Sequence, residues 1–198
     1  MEKQLIISVG REFGSGGHEI AERLSGHYKI RLLDHNLLDE IAAERSVDLE
    51  NLKDLDEKHK KRLSSRTVRG FSSSPEENLY LMQFDFLKKK AAGGDSFVIV
   101  GRCSEDILKE CEGLVSIFVH ADKEKRIERI MEKYRLTSAQ AEKLIREKDM
   151  KRKRYHDGFC KEKWGASRSY DISINSGKLG IAGTVDMLID YIDKRYQI

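Results

Sequence analysis

The chain has 198 residues, and its 37 Lys and Arg against 34 Asp and Glu give a formal net charge of +3. This length suits one folded domain, and no apolar run approaches the roughly 20 residues that a membrane span needs. Because both signs of charge are interspersed, the composition argues against a nucleic-acid-binding surface over the whole molecule. The three cysteines form no CxxC pair, which argues against a disulfide framework or a zinc site and favours a reducing, cytoplasmic setting.

Five short apolar runs, each followed by a longer amphipathic stretch, predict the fold class. The runs are rich in Val and Ile and bounded by Gly, Asp or Asn, which is typical of strands buried on both faces. They lie at residues 5–9, 30–33, 97–100, 115–119 and 172–174. Because helix follows strand at this rhythm, we expect an α/β fold with three layers, in which an open parallel sheet of about five strands carries helices on both faces.

Two charged segments interrupt this alternation. Residues 46–78 combine a charged helical pattern with a serine-rich stretch that contains the only proline. They predict a helix and an exposed loop inserted between the second and third strands. Residues 122–155 predict two charged helices, the second of which begins with a capping box formed by Thr137 and Gln140. Nothing else divides the chain, so we expect a single domain over residues 1–198.

The segment ISVGREFGSGGHEIAERL predicts a strand that runs through a glycine-rich turn into a helix. Its glycines permit backbone conformations that other residues rarely adopt. The first N–H groups of a helix are unpaired and carry partial positive charge, which attracts anions. We therefore predict a phosphate cradle, and a tight turn that needs glycine only for steric reasons is the alternative. The residues of this predicted cradle are Gly14, Ser15, Gly16, Gly17 and His18.

This turn departs from the Walker A pattern. When Gly16 is placed at the last glycine of that pattern, Gly17 stands where the lysine belongs and His18 where Ser or Thr belongs. The charge for the reacting phosphate would then come from Arg11 or from a basic residue elsewhere. The dinucleotide fingerprint fails as well, because Glu19 replaces its third glycine, although Asp34 stands where that fingerprint places an acidic residue.

The turn and four further stretches resemble the cytidylate kinase-like family, which are relatives of the bacterial nucleoside-monophosphate kinases. The stretches are LLDHNLLDEIAAE, FVIVGRCSEDIL, VSIFVHADKEKRIERI and IREKDMKRKRYHDGFCKEKWGASRSYDISINSGKLGI. The resemblance covers nearly the full chain. It implies a P-loop kinase fold, with a monophosphate-binding insertion at about residues 46–90 and a basic lid at about 137–165. It also implies ATP and Mg²⁺ as cofactors and a glycine-rich loop that commonly lacks the usual lysine.

Phosphoryl transfer depends mainly on positioning and on neutralising negative charge, and the predicted lid carries the cations. Because guanidinium groups bind phosphate oxygens in bidentate fashion, we expect Arg146, Arg152 and Arg154 to act in catalysis with Arg11. For each lid arginine the alternative is a solvated helix position paired with a nearby glutamate.

Three further residues are predicted to bind the substrate. Asp34 and Arg102 each follow a predicted strand, at the edge where open α/β sheets bind ligands. Arg69, in the serine-rich insertion, would help to hold a monophosphate, with a solvated loop position as the alternative. Capping of the following helix is the alternative for Asp34, and an ion pair with Glu105 or Asp106 is the alternative for Arg102.

The remaining signals are weaker. His35, His120 and His156 show no pairing that indicates a metal site or a catalytic base, so no metal ligands are predicted among them. Trp164 is predicted to anchor the chain where it returns from the lid. Residues 175–180 resemble the loop that flanks the adenine base in related kinases.

We therefore expect an ATP-dependent nucleoside-monophosphate kinase with a cytidylate or other pyrimidine acceptor. Its expected partners are small-molecule nucleotides, and no membrane association is expected. The missing lysine and hydroxyl favour an alternative, a non-catalytic nucleotide-binding protein. A nucleic-acid module built on residues 143–154 is a third possibility, which the matching acidic content opposes.

Overall fold

The computed structural model describes residues 3–34, 37–39, 41 and 75–197, with side chains in the last range from residue 78 onward. The helix and loop predicted before residue 75 lie outside these residues, as does Arg69. The strands are β1 (Ile6–Arg11), β2 (Arg31–Leu33), β3 (Phe97–Val100), β4 (Leu114–His120) and β5 (Ile172–Asn175). The helices with defined bounds are α1 (Gly17–Tyr28), α2 (Pro75–Ala92), α3 (Ser104–Ile107), α4 (Lys123–Tyr134), α5 (Ser138–Phe159) and α6 (Ser176–Tyr196).

The five strands form one parallel sheet in the order β2-β3-β1-β4-β5. β1 lies in the middle, where Val9 pairs with Val100 of β3 and with Ile117 of β4. The predicted α/β fold with an open parallel sheet of about five strands is confirmed. Because all the strands run the same way, their carboxyl ends meet at one edge, which is where such sheets bind ligands.

Two apolar clusters cover the two faces of the sheet and make the fold three-layered. On one face Ile7 and Val9 pack in a cluster with Leu24 of α1 and Leu188 of α6. On the other face Ile6, Phe97 and Ile99 share a cluster with Leu79, Phe86 and Leu87 of α2. Burial of each such side chain contributes about 1.5–3 kcal/mol, so both layers are firmly attached to the sheet. The α2 end of the predicted insertion is therefore part of the core.

α5 passes over the carboxyl edge of the sheet, supported at both ends. At its start, the predicted capping box is confirmed, because the Gln140 N–H donates to Thr137 Oγ1 and the Thr137 N–H donates to Gln140 Oε1. Ala141 and Ile145 then pack in a small cluster with Ile130 of α4. At its far end, α5 joins aromatic side chains of α2, and the four rings in contact are those of Tyr80, Phe84, Tyr155 and Phe159. None of the helices described here is long and apolar enough to cross a membrane.

Candidate active site

The glycine-rich turn between β1 and α1 is closed by hydrogen bonds between its own residues. Gly14 and Gly16 adopt left-handed conformations with φ of 84° and 82°, which side chains disfavour. The N–H and the hydroxyl of Ser15 both donate to the Glu12 carbonyl, at 3.3 and 2.9 Å. The loop therefore turns sharply before α1 begins at Gly17, as the sequence predicted.

Three successive carbonyl oxygens of this loop are held by donors from other elements. The Phe13 carbonyl accepts from Arg126 Nε at 2.8 Å, and the Gly14 carbonyl accepts from Arg129 Nη1 at 3.2 Å. The Ser15 carbonyl accepts from Ser176 Oγ at 2.5 Å. The arginines belong to α4, and the serine begins α6. These bonds fix the loop from outside, so its shape is set in advance, as anion binding by backbone groups requires.

Asp149 of α5 connects the loop to the helices above it. Its carboxylate accepts from the Phe13 N–H at 2.7 Å and forms an ion pair with Arg126. Arg126 also lies 3.0 Å from the carboxylate of Glu12, at the start of the loop. Because Arg126 is only 8% exposed, these charges stabilise each other with little competition from water. The loop, α4 and α5 therefore form one connected ionic network.

Arg11, the last residue of β1, lies between two glycines. A Cβ at Gly17 would lie 2.6 Å from the Arg11 Cβ, and a Cβ at Gly101 would lie 2.3 Å from Arg11 Nη1. Glycine at both positions therefore makes room for the arginine. The Nε of Arg11 is buried and has no hydrogen-bond partner among the described residues.

The charge of Arg11 is poorly compensated. Burial lowers the pKa of Arg11 well below its ordinary value, and the neighbouring cations Arg152 and Arg102 lower it further. Asp34 and Glu105 raise it but do not restore it. A buried cation whose neighbours are largely cationic is stabilised when an anion binds beside it.

A cavity of about 290 Å³ opens at this point, at the carboxyl ends of β1 and β3. Its described charged lining, apart from two histidines, consists of five basic side chains and two acidic ones, so the site suits an anionic ligand. The basic residues are Arg11, Arg102, Lys148, Lys151 and Arg152, and the acidic ones are Asp34 and Glu105. Four aromatic residues also line it: Tyr80, Tyr155, Trp164 and Tyr170.

Comparison with known proteins bears on this arrangement. The model of the cytidylate kinase-like family matches residues 6–178. The chain belongs to that family. No match was found among the curated proteins.

Solved structures extend the comparison. An uncharacterized protein from Eubacterium ventriosum is 37% identical over 96% of this chain and 99% of that chain, with a TM-score of 0.76. The shikimate kinase of Bacteroides thetaiotaomicron has a TM-score of 0.55 at 10% identity, over 96% of this chain and 98% of its own. The shikimate kinase of Acinetobacter baumannii, in complex with shikimate, has a TM-score of 0.55 at 12% identity, over 98% of this chain and 96% of its own. Likeness at this level of identity shows the P-loop kinase fold.

In this cytidylate kinase-like protein, one of the three predicted lid arginines reaches the site. Arg152 Nη1 donates to the Arg11 carbonyl at 3.1 Å, and its guanidinium lies 5.4 Å from the centre of the Phe13 ring. Burial lowers the pKa of Arg152, which again favours an anionic neighbour. Arg146 and Arg154 lie exposed on α5, and neither is among the described residues that line the cavity.

Asp34 and His18 meet at the mouth of the cavity. His18 Nε2 lies 2.8 Å from Asp34 Oδ2, and His18 Nδ1 lies 3.5 Å from Glu22. His18, which the sequence predicts to donate a hydrogen bond to a phosphate, is thus hydrogen-bonded to the predicted substrate-binding carboxylate of Asp34. The family implies Mg²⁺, which proteins commonly bind through one or two carboxylates, with phosphates and waters completing the shell. The single carboxylate of Asp34 fits that mode of binding.

Arg102 lines the cavity from a strained turn. Gly101, Arg102 and Cys103 have φ values of 78°, 61° and 56°, so three successive residues are left-handed. Left-handed residues other than glycine are uncommon and cluster at functional sites. The strain directs the chain away from β3 so that Arg102 reaches the cavity beside Arg11.

A polar network in the wall of the cavity was not predicted. His156 Nε2 lies 2.6 Å from Glu105 Oε1, which also accepts from the Tyr170 hydroxyl at 3.2 Å. The sequence showed no pairing of His156 that indicates a metal site or a catalytic base, and the structure pairs it with Glu105. The Cys160 sulfur joins them, since its Sγ, a His156 ring nitrogen and a Glu105 oxygen all lie within 4.8 Å of one another. These residues come from α3, from α5 and from the segment before β5, which sequence spacing does not relate.

Sequence reasoning also missed Arg126 and Arg129, which hold the glycine-rich loop. The available signal was their spacing of three residues on the helix that follows β4, which places them on one helix face.

The predicted anchor Trp164 packs edge-on against Phe118, with ring centroids 5.6 Å apart. At the predicted adenine-flanking loop, Asn175 caps α6 by accepting from the Gly177 N–H at 2.9 Å.

Proposed function

We propose that this protein is an ATP-dependent phosphotransferase of the nucleoside-monophosphate kinase type, with CMP or a related pyrimidine monophosphate as acceptor. Membership of the cytidylate kinase-like family and the P-loop kinase fold support the reaction class. The observation that carries the proposal is the cationic cavity beside the glycine-rich loop, with the guanidinium of Arg11 buried between Gly17 and Gly101. A site of this charge suits an acceptor that brings its own phosphate.

The glycine-rich loop is assigned to the donor. The loop of Gly14, Ser15, Gly16 and Gly17 would hold the donor phosphates through the N–H groups of Gly14 and Gly16, and His18 would border them. The Ser15 and Gly17 N–H groups keep the loop closed by donating to the Glu12 carbonyl and the Ser15 hydroxyl. Asp34 would hold Mg²⁺. When bound, ATP supplies the phosphoryl group and Mg²⁺ neutralises part of its charge.

Arg11 and Arg152 are assigned the role of the missing lysine. Burial lowers the pKa of both arginines, so that an anion bound beside them would stabilise their charged forms. A hydrogen bond from Arg152 to the Arg11 carbonyl joins the two residues. Arg102 is assigned to the acceptor phosphate, with Arg69 as a further candidate from outside the described residues. Arg146 and Arg154 stay predictions as catalytic groups, and α5 would have to move for either to enter the cavity.

A non-catalytic nucleotide-binding protein is the second candidate. It is favoured by the loop itself, since position 17 lacks the amine and His18, in place of the Mg²⁺-binding hydroxyl, is bonded to Asp34. Such a protein would bind ATP without transferring its phosphoryl group.

The test is an assay of ADP formation by the purified protein with ATP, Mg²⁺ and each of CMP, dCMP, UMP, AMP, GMP and shikimate. We expect turnover with a pyrimidine monophosphate. We also expect Arg152→Ala to lower kcat/KM by about 100-fold, or about 2.7 kcal/mol of transition-state stabilisation. Lys143→Ala, which removes an exposed cation from the same helix, should change it by less than about twofold.

The other outcomes separate the alternatives. ATP binding measured by calorimetry, with no turnover on any acceptor, would favour the non-catalytic protein. Turnover with shikimate alone would overturn the acceptor assignment. Equal losses in Arg152→Ala and Lys143→Ala would overturn the role of Arg152.

A further inference from the structure

Two cysteines lie at the wall of the cavity. Cys103 follows the strained turn after β3, lines the cavity and is 3% exposed. Cys160 follows α5, where its N–H donates to the His156 carbonyl, and it is half-buried. The two thiols are close enough for each to shift the pKa of the other. The third cysteine, Cys111, is also half-buried, and it belongs to the packing around α2.

The surroundings of the pair distinguish its two sulfurs. The charged and titratable groups that face Cys160 are Cys103 from the turn, Glu105 from α3, His156 from α5 and Tyr170 from the segment before β5. His156 is held by Glu105, so an imidazolium is stabilised next to the Cys160 sulfur. None of the described groups that shift the pKa of Cys103 is a cation, and Cys103 lies deeper in the protein.

The pKa values follow this geometry. The hydrogen bond with Cys103 lowers the pKa of Cys160 to about 6, with help from His156 and against the effect of burial. The hydrogen bond with Cys160, together with burial, raises the pKa of Cys103. Although burial disfavours the imidazolium, hydrogen bonds with Cys160 and Glu105 raise the pKa of His156 to about 10. These shifts favour the thiolate at Cys160 and the protonated thiol at Cys103.

We propose that Cys160 is a site of reversible oxidation by hydroperoxides and that Cys103 is its resolving thiol. The Cys160 thiolate attacks the terminal peroxide oxygen, the O–O bond breaks, and the products are a sulfenic acid at Cys160 and hydroxide or alkoxide. The Cys103 sulfur then attacks the Cys160 sulfur. An S–S bond forms, the S–O bond breaks, and the hydroxyl leaves with the Cys103 proton as water. Sulfur is oxidised at both positions and the peroxide is reduced.

The disulfide would join two parts of the molecule on which the cavity depends. Cys103 is adjacent to Arg102, and Cys160 follows the helix that carries Arg152. The bond would tie α5 to the turn after β3 and fix the wall between them. This reaction does not depend on the proposed phosphotransferase function, and it is tested without an assay of that function.

The experiment uses the reduced, full-length protein treated with hydrogen peroxide at pH 7 and then mapped by mass spectrometry. We expect a peptide that links Cys103 to Cys160, formed equally well in Cys111→Ser. In Cys103→Ser the sulfenic acid at Cys160 should persist and be trapped by dimedone. In Cys160→Ser neither product should form at Cys103.

A second measurement needs no variant. Iodoacetamide should modify Cys160 at pH 7 about tenfold faster than Cys111, because the thiolate is the reactive form. Equal rates at the two cysteines would overturn the proposal, as would a disulfide that includes Cys111. A zinc ion that copurifies and blocks modification of Cys160 until it is chelated would also overturn it, because the cluster would then be a metal site.

Discussion

The backbone N–H of Phe13 donates to the carboxylate of Asp149 across 2.7 Å, although the two residues are 136 positions apart. The donor belongs to the loop that we assign to phosphates, and the acceptor belongs to the helix that brings Arg152 to the cavity. An anion supplied by the protein thus already holds one loop N–H group, and the ion pair with Arg126 keeps it there. The position of α5 over the site is therefore coupled to the shape of the loop.

Asp149→Ala should lower the free energy of unfolding by about 1–3 kcal/mol, because it leaves the Phe13 N–H and one face of Arg126 without their partner. Urea denaturation of wild type and variant at the same pH measures the difference. Glu147→Ala, an exposed acidic residue on the same helix, is the matched control and should change the value by less than about 0.5 kcal/mol. Similar values for the two variants would contradict the importance of the Asp149 contacts.

Gly101→Ala should be destabilising and should displace Arg11. The new Cβ would lie 2.3 Å from Arg11 Nη1, and the left-handed backbone at this position costs an alanine about 1–2 kcal/mol. Thermal unfolding reports the loss of stability. Gly26→Ala is the control, because no atom lies within 4 Å of its Cβ and the helix should gain up to about 1 kcal/mol. If Gly101→Ala were as stable as wild type, the turn would not require glycine.

Gly17→Lys, which restores the lysine of the standard phosphate loop, should not create strong activity. The Cβ at this position would lie 2.6 Å from the Arg11 Cβ, and position 18 still lacks the hydroxyl that binds Mg²⁺. ADP formation with CMP is the measurement, and Gly17→Ala separates the effect of the Cβ from that of the amine. A gain in turnover of more than about 100-fold over Gly17→Ala would mean that the loop, not Arg11 and Arg152, limits the reaction.

The pair formed by His156 and Cys160 predicts a particular dependence of stability on pH. The raised pKa of His156, about 10 against an ordinary 6.5, gives stability that is fully present below pH 6.5 and is lost as the pH rises toward 10. The lowered pKa of Cys160, about 6 against 9.0, gives stability that is present above pH 9 and is lost as the pH falls toward 6. Between about pH 6.5 and 9 the two contributions change in opposite directions and largely cancel.

Cys160→Ser removes the thiolate contribution, while the Glu105 carboxylate should still hold the pKa of His156 above its ordinary value. The stability of wild type relative to Cys160→Ser should therefore grow with pH across this window. The slope is at most about 1.4 kcal/mol per pH unit, and solvent screening at the half-buried thiol reduces it. Urea denaturation at pH 6.5, 7.5 and 8.5 tests this, with Cys111→Ser as control. A difference that does not change with pH would show that the thiolate is absent.

The fold was predictable because its signals are local. Runs such as Phe97–Val100 are long enough and apolar enough to identify buried strands, and Thr137 and Gln140 are close enough in sequence to identify a cap. Gly14 and Gly16 likewise mark a turn that needs left-handed backbone. The parallel direction of the strands followed from the helices between them, whereas their order in the sheet was not predicted.

The candidate site was predictable only in part, because its contacts join distant segments. Arg152 and Arg154 look alike in sequence, and only the packing of α5 shows that Arg152 faces the loop while Arg154 faces solvent. Arg126 and Asp149 form a pair only because α4 and α5 meet above the loop. The meeting of Cys103 with Cys160 depends in the same way on the end of α5 packing behind the turn after β3.

The bond between Ser176 and the Ser15 carbonyl joins positions 161 residues apart, and it has a consequence for how the protein is made. β1 is synthesised before the other four strands, yet it becomes the centre of the sheet, and the loop after it is fixed by a residue that follows β5. Contacts over such sequence separations form slowly, because the closure of long loops is entropically costly. On the ribosome, the glycine-rich loop therefore stays without its final shape until Ser176 has emerged, so the nascent chain gains the proposed nucleotide site only after β5 has been made.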